Sequence, residues 1–198
     1  MIAGASGKLS LAASAAGVAL AASFGISERV GECGKPWVFF DLGNTVVASA
    51  PGQESKYVPG AHAYVRELRK RGYPIGLITN VPEKWGATRT AKIRALKKLI
   101  DETWTKEAGA ERMDWSDFPD SAIVIPRRDP ERKPAPYLFQ AALAHVALEE
   151  GTRDCPVFYQ GEDAGEVATA ERTGLRGYVV GRDPAAPFLP VERLEARR

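Results

Sequence analysis

The chain has 198 residues, and its 27 Lys and Arg against 25 Asp and Glu give a formal net charge of +2. This balance gives no argument for a polyanionic partner, and no basic run is long enough for a nucleic-acid arm. We therefore expect no nucleic-acid partner. The length and a hydrophobic content of 44% predict one globular domain with its own core.

The first 25 residues carry one charge, Lys8, ahead of an Ala-rich uncharged stretch in which Ala19-Leu20-Ala21 offers a small-x-small cleavage site. This pattern predicts a signal peptide, with a disordered leader and a retained membrane anchor as alternatives. As a membrane span it is marginal because few of its residues are larger than Ala, and none is expected after leader removal. The protein is then periplasmic or secreted if the leader is a signal peptide, and otherwise cytoplasmic. The domain is predicted over 34–198.

A strand is predicted at the start of the run WVFFDLGNTVV, Trp37 to Val47. Aromatic and β-branched residues lead to Asp41, and the turn formers Gly43 and Asn44 follow. Ligands of open parallel sheets bind outside the carboxyl ends of the strands, so Asp41 is placed for chemistry.

A helix is predicted from Ala61 to Gly72, and the strand from Tyr73 to Ile78 then delivers Thr79 and Asn80. Fixed hydroxyl and backbone N–H donors at a strand end can hold a phosphoryl oxygen. The alternative is that Thr79 starts a turn and Asn80 caps the following segment.

A second helix is predicted from about Trp85 to Thr103, and a strand from Ser121 to Pro126 leads towards Lys133-Pro134. We expect the basic residues of this helix to form a solvated face. These residues are Arg89, Lys92, Arg94, Lys97 and Lys98. A further helix is predicted from Pro136 to about Leu148.

The strand Val157 to Gln160 ends in a cluster of acids, Glu162, Asp163 and Glu166, before a helix that closes at Gly174. Several oxygens around one point suit a hard cation such as Mg²⁺. The alternative is that these acids cap the helix and interact favourably with the positive N-terminal end of its dipole. A last strand is predicted from Leu175 to Gly181.

In this order, the four strand ends resemble the motifs of the haloacid dehalogenase-like (HAD) hydrolase superfamily. The resemblance covers residues 37 to about 181. It implies an α/β fold, a three-layer Rossmann-like parallel sheet with helices on both faces. Only 37 residues separate Asp41 from Thr79 and 52 separate Asn80 from Lys133. This spacing predicts that there is no large cap domain.

The resemblance also implies a phosphomonoester hydrolase that works through an aspartyl-phosphate on Asp41. Lys133 is then catalytic and binds phosphate, together with Thr79 and Asn80. Mg²⁺ is implied as cofactor, and its expected ligands are Asp41, the backbone carbonyl of Gly43, Glu162 and Asp163. The substrate is a phosphorylated compound of unknown identity, and the oligomeric state is left open.

Gly43 stands where typical HAD phosphatases have a second Asp, which protonates the leaving group. General acid–base catalysis contributes about 10²- to 10⁴-fold, so its loss slows turnover or restricts it to good leaving groups. An alternative function is therefore a catalytically impaired HAD-fold protein that binds a phosphorylated ligand or a protein partner.

The two cysteines, Cys33 and Cys155, each come a few residues before a predicted strand. The resemblance implies that these strands are neighbours, which would allow a disulfide. Two unrelated buried thiols are the alternative.

Overall fold

The structure, a computed structural model, describes residues 33–48, 54–105 and 112–195. The strands are β1 (Trp37–Phe40), β2 (Val47–Ala48), β3 (Lys56–Tyr57), β4 (Ile75–Ile78), β5 (Ile123–Val124), β6 (Val157–Gly161) and β7 (Arg176–Val179). The helices are α1 (Ala61–Lys70), α2 (Arg89–Thr103), α3 (Tyr137–Glu150), α4 (Ala164–Thr173) and α5 (Val191–Glu195). The predicted leader lies outside the described residues.

Five strands form one parallel sheet in the order β5-β4-β1-β6-β7, with β1 at its centre. Phe40, the last residue of β1, is in register with Leu77 of β4 and Gln160 of β6. The carboxyl ends of these three strands therefore meet at one edge of the sheet, and the chain leaves β1 there through Asp41.

Alternate residues of β1 enter two separate cores, because successive side chains of a strand point to opposite faces. Val38 and Phe40 lie in the cluster that holds the buried residues of α1 and α2. Trp37 and Phe39 lie in the cluster that holds those of α3 and α4. The predicted three-layer arrangement, with helices on both faces of the sheet, is confirmed.

The second helix begins later than predicted, at Arg89 rather than near Trp85. A 3₁₀ turn at Glu83–Trp85 comes first, and Thr88 then caps α2 by accepting a hydrogen bond of 3.2 Å from the backbone N–H of Ala91. A hydroxyl cap of this kind satisfies a donor that the first helical turn leaves free.

The predicted solvated face of α2 is wrong for Lys92, whose exposed fraction is 3%. Its ammonium donates to the backbone carbonyls of Pro126 (3.2 Å) and Arg127 (2.7 Å). Arg89 likewise donates to backbone carbonyls on the approach to β5, among them that of Ile123. Basic side chains of α2 thus fix the segment that leads to Lys133.

The C-terminal segment closes one face of the sheet through a buried polar contact. Gln160 is fully buried; it donates to the hydroxyl of Tyr64 (3.0 Å) and accepts from the backbone N–H of Leu189 (2.9 Å). The Tyr64 hydroxyl donates to the Leu189 carbonyl (2.6 Å). Burial of these polar groups is tolerated because each has a partner.

Cys33 and Cys155 form a disulfide with a Cα–Cα distance of 5.1 Å. The described parts of the two insertions contain the β2–β3 ribbon, α1, α2 and 3₁₀ turns. The absence of a large cap domain stays a prediction, since residues 49–53 and 106–111 are not described. No helix in the described ranges is long and apolar enough to cross a membrane.

Candidate active site

Most of the predicted site residues meet at the carboxyl edge of the sheet. Asp41 follows β1, Thr79 and Asn80 follow β4, and Glu162 follows β6. Lys133 comes from the connection between β5 and α3 and reaches this edge with its side chain. Asp41 and Lys133 are both buried, with exposed fractions of 8% and 6%.

A tight turn after Asp41 brings the chain back towards β6. The Leu42 carbonyl accepts hydrogen bonds from the backbone N–H groups of Val46 and Val47. Asn44, with a φ of 54°, takes the left-handed conformation, which Asn tolerates better than most residues. The turn places the Thr45 hydroxyl 2.9 Å from Glu162 Oε2, to which it donates, and the same hydroxyl accepts from the Glu162 N–H at 3.2 Å.

The Lys133 ammonium links two carboxylates. Its Nζ lies 2.6 Å from Asp41 Oδ1 and 2.7 Å from Glu166 Oε2. The backbone N–H of Leu42 donates to the same Asp41 oxygen at 2.8 Å. Two donors therefore fix the orientation of the Asp41 carboxylate.

Tyr159 supplies a third contact to Lys133. Its hydroxyl accepts from Lys133 Nζ and donates to Glu166 Oε2, both at 3.0 Å. Burial and the neighbouring carboxylates raise the Tyr159 pKa, so the hydroxyl keeps its proton. A Cβ at position 161 would lie 2.9 Å from this hydroxyl, and Gly161 makes the close approach feasible.

Asn80 holds the backbone of Lys133 rather than facing an open site with its side chain. Its Oδ1 accepts from the Lys133 N–H at 2.7 Å, and its Nδ2 donates to the Lys133 carbonyl at 3.1 Å. Thr79 beside it is buried. A phosphate contact from Asn80 would thus come from its backbone N–H, and this contact stays a prediction.

The electrostatics of the site are dominated by negative charge. Three carboxylates, those of Asp41, Glu162 and Glu166, contribute to it. Among the described residues, one ammonium group, that of Lys133, contacts Asp41 and Glu166. Burial raises the pKa of Asp41 from 3.8 to about 7; Lys133 acts to lower this pKa, while Glu162 and Glu166 raise it further. A divalent cation would offset the excess charge.

The chemistry of the donor set fits Mg²⁺, which prefers oxygen ligands and takes one or two carboxylates in most protein sites. Asp41, the Gly43 carbonyl and Glu162 lie on the two adjacent segments that follow β1 and β6. Asp163 has a structural role, because its Oδ1 caps α4 by accepting from the N–H groups of Gly165 (2.7 Å) and Glu166 (2.9 Å). The metal-ligand assignments stay predictions.

The sequence reasoning placed Glu166 in the acidic motif but gave it no role, and it missed Tyr159. Glu166 was recognisable from its position in the first turn of the helix after β6, where its side chain can reach back towards the sheet edge. Tyr159 lies inside a buried strand, and a polar tip on an otherwise apolar strand residue gave no distinct signal.

Three arginines close to Lys133 in the chain are candidates either for substrate binding or for a solvated loop. They pair with acids of their own loop: Arg127 and Arg128 lie 3.3 and 3.5 Å from Glu131, and Arg132 lies 3.9 Å from Asp129. All three are exposed. These contacts favour the solvated loop.

The parallel sheet places the chain in the Rossmann-like α/β class, and the paired carboxylate and lysine beside an acidic cluster resemble a HAD-type site. The sequence is similar to that of a phosphoglycolate phosphatase from Cereibacter sphaeroides, with 35% identity over 127 residues, or 64% of this chain and 45% of that protein. A second phosphoglycolate phosphatase, from strain ATCC 17029 of the same species, is 34% identical over the same length. The chain thus spans less than half the length of these curated relatives.

The motif order, the geometry and this similarity all resemble those of HAD-like hydrolases. No protein-family model matches it.

Two solved structures also resemble it. One is described as a HAD-like phosphatase from Mesorhizobium loti (TM-score 0.46, 18% identity, 80% of this chain and 78% of that one). The other is an uncharacterized protein from Corynebacterium glutamicum (TM-score 0.41, 16% identity, 82% and 91%). Both TM-scores lie below 0.5, so neither likeness bears on the assignment.

Proposed function

We propose that this protein is a Mg²⁺-dependent phosphomonoester hydrolase in which Asp41 attacks phosphorus. The attack breaks the ester P–O bond and forms an aspartyl-phosphate, and the leaving alkoxide takes its proton from water. Water then hydrolyses the aspartyl-phosphate to phosphate and regenerates the carboxylate. The observation that carries the proposal is the buried contact of 2.6 Å between Lys133 Nζ and Asp41 Oδ1. A cation at this place favours the charged form of a buried carboxylate and offsets the negative charge of an incoming phosphoryl group.

The other residues of the site have supporting roles in this proposal. Glu166 and Tyr159 hold the Lys133 ammonium against Asp41. The Thr79 hydroxyl and the Asn80 backbone N–H bind phosphoryl oxygens, whose charge increases at the transition state. Asn80 also fixes the Lys133 backbone through its side chain.

Mg²⁺ would be held by Asp41, the Gly43 carbonyl and Glu162, while Asp163, whose Oδ1 caps α4, would help with its other carboxylate oxygen. When bound, it supplies charge stabilisation for the phosphoryl oxygens. Burial, and to a smaller extent Glu162 and Glu166, raise the pKa of Asp41, and a nearby dication would favour its charged form.

A phosphatase assay with paired variants tests the proposal. Phosphate release from a panel that includes p-nitrophenyl phosphate and phosphoglycolate should require Mg²⁺ and stop when a chelator is added. Phosphoglycolate is included because the curated relatives carry that name. The variant Asp41→Asn should lose turnover, whereas Asp154→Asn, an exposed aspartate ahead of β6, should keep it. Activity that survives in Asp41→Asn would overturn the nucleophile assignment.

The second candidate function is a protein that binds a phosphorylated ligand without turnover. Gly43 favours it, because this position offers no proton to the leaving group. Calorimetric titration with a non-hydrolysable phosphonate analogue separates the two candidates when read beside the assay. Binding together with no phosphate release across the panel would favour the second candidate.

A further inference from the structure

A second group of metal-ligand side chains lies at the opposite edge of the sheet from Asp41. The sulfurs of Cys33 and Cys155 and a carboxylate oxygen of Glu150 all lie within 4.8 Å of one another. Cys33 precedes β1, Cys155 precedes β6, and Glu150 ends α3. In the structure the two sulfurs are joined as a disulfide.

The carboxylate is held in place by the fold. Trp37 Nε1, from the first residue of β1, donates to Glu150 Oε1 at 2.7 Å. Gly151, with a φ of 68°, then ends α3 in the left-handed conformation, and the chain turns back to Cys155. A hydrogen bond that orients a carboxylate in this way is a common support for metal ligands.

Reduction of the disulfide would leave three acidic groups in this half-buried place. Two thiolates beside a carboxylate repel one another, and a divalent cation removes that repulsion. Thiolates bind Zn²⁺ and similar soft cations in preference to hard cations such as Mg²⁺, and Zn²⁺ also accepts a carboxylate ligand. A surface groove of about 770 Å³ is lined in part by Arg153, Cys155 and Val157, so one of the three ligands borders it.

We propose that Cys33, Cys155 and Glu150 form a site for a thiophilic divalent cation such as Zn²⁺ when the Cys33–Cys155 disulfide is reduced. A dithiol reductant gives two electrons and two protons to the disulfide and becomes a disulfide itself. Each cysteine thiol then releases its proton as the cation binds. Glu150 is the third protein ligand, and water takes the remaining position.

The disulfide and the metal-bound form use the same two sulfurs, so the protein can hold only one of them at a time. Either state ties the chain ahead of β1 to the connection between α3 and β6. The cross-link between these two segments would thus persist in an oxidising or a reducing compartment. This inference does not depend on the phosphatase proposal, because the site lies at the other edge of the sheet.

Metal titration of the full chain before and after reduction tests the proposal. With Zn²⁺ alone as probe, the reduced protein should bind one equivalent that protects both thiols from a thiol reagent, and the oxidised protein should bind none there. Cd²⁺ should give a sulfur-to-metal charge-transfer absorption, which a cation bound by carboxylates near Asp41 does not produce.

Matched variants assign the ligands. Glu150→Gln should weaken Zn²⁺ binding by at least about tenfold, as loss of metal-site groups does elsewhere. Glu149→Gln, the neighbouring exposed carboxylate on α3, should bind like the wild type. The proposal is overturned if Zn²⁺ leaves the thiols of the reduced wild type unprotected, or if Glu150→Gln binds as tightly as Glu149→Gln. The wild-type comparison needs no variant to fold.

Discussion

Gly43 is the residue that sets the expected chemistry of the site. It takes the place of a second acid in the HAD pattern, and a Cβ built on it meets nothing within 4 Å. Its φ is not in the left-handed region, so a side chain is tolerated there. The position is therefore open to an acid, and the missing proton donor can be restored by substitution.

Gly43→Asp should raise kcat for alkyl phosphates by about 10²-fold, because a carboxylic acid at this position can protonate the leaving oxygen. Aryl phosphates, whose leaving groups need less help, should gain much less. Steady-state kinetics with one ester of each kind measures the difference.

Gly43→Asn is the matched control, since it has a similar shape and no acidic proton. An equal gain for Gly43→Asn, or the same gain for alkyl and aryl esters, would contradict the acid role.

Asp41 should make stability depend on pH in the metal-free protein. Its pKa is raised from 3.8 to about 7, mainly by burial, so the folded state holds the proton more tightly than the unfolded state does. Stability from this group is present below about pH 4 and is lost as the pH rises through about 7. Asp41→Asn cannot ionise and escapes this loss.

Denaturant unfolding in chelator at a series of pH values should show this effect. The variant's advantage in unfolding free energy should grow between about pH 4 and about pH 8 to on the order of 4 kcal/mol. Mg²⁺ at the upper pH should reduce this difference in unfolding free energy between Asp41→Asn and the wild type, because it stabilises the wild type. A gap that stays constant with pH would show that Asp41 titrates normally.

At the scale of single residues, the sequence was most informative at strand ends. Asp41 and Glu162 follow short apolar runs, and their position in the chain sufficed to predict that they meet. Tyr159 and Lys92 could not be predicted in this way. Their polar atoms act inside the protein, on partners from distant segments, and side-chain type alone does not reveal such partners.

At the scale of elements, the end of β4 is joined to the loop before α3 by Asn80. The two hydrogen bonds from its side chain to the Lys133 backbone connect segments 53 positions apart in the chain. They fix the point from which the Lys133 side chain extends to Asp41. The position of the ammonium thus depends on a residue that need not touch substrate with its side chain.

Asn80→Leu should remove both hydrogen bonds with a side chain of the same branching and lower the unfolding free energy by about 2 kcal/mol. Turnover should fall more than the affinity for a phosphate ligand. Asn80→Asp, which still accepts from the Lys133 N–H, should lose less stability. Calorimetry and steady-state kinetics on both variants measure these effects, and equal losses in the two would contradict the paired role of the amide.

Element types and their order followed from the alternation of apolar runs with helical patterns. Boundaries were less predictable where short 3₁₀ turns replace helix or strand, as at Glu83–Trp85 and Asp120–Ala122. The β2–β3 ribbon was missed because its strands have two residues each, too few for an alternation to be recognised.

At the scale of the whole molecule, the Cys33–Cys155 disulfide joins residues 122 positions apart. It encloses most of the domain, so it restricts the unfolded chain strongly. Reduction, or the variant Cys33→Ala with Cys155→Ala, should lower the unfolding free energy by about 2–4 kcal/mol. Thermal or denaturant unfolding in metal-free buffer, with and without reductant, measures this loss.

The double variant is the control, since its stability should not respond to the reductant. A wild type that is equally stable in both conditions would contradict a stabilising disulfide in the folded protein.

The proposed chemistry depends most on Asp41 accepting the phosphoryl group. The direct measurement is mass spectrometry of protein that is quenched in acid during turnover, where an acyl phosphate persists, and then digested. We predict one added phosphoryl group on the peptide that contains Asp41, released by hydroxylamine and missing in Asp41→Asn. A phosphoryl group on another residue, or phosphate release by Asp41→Asn at the wild-type rate, would contradict this role of Asp41.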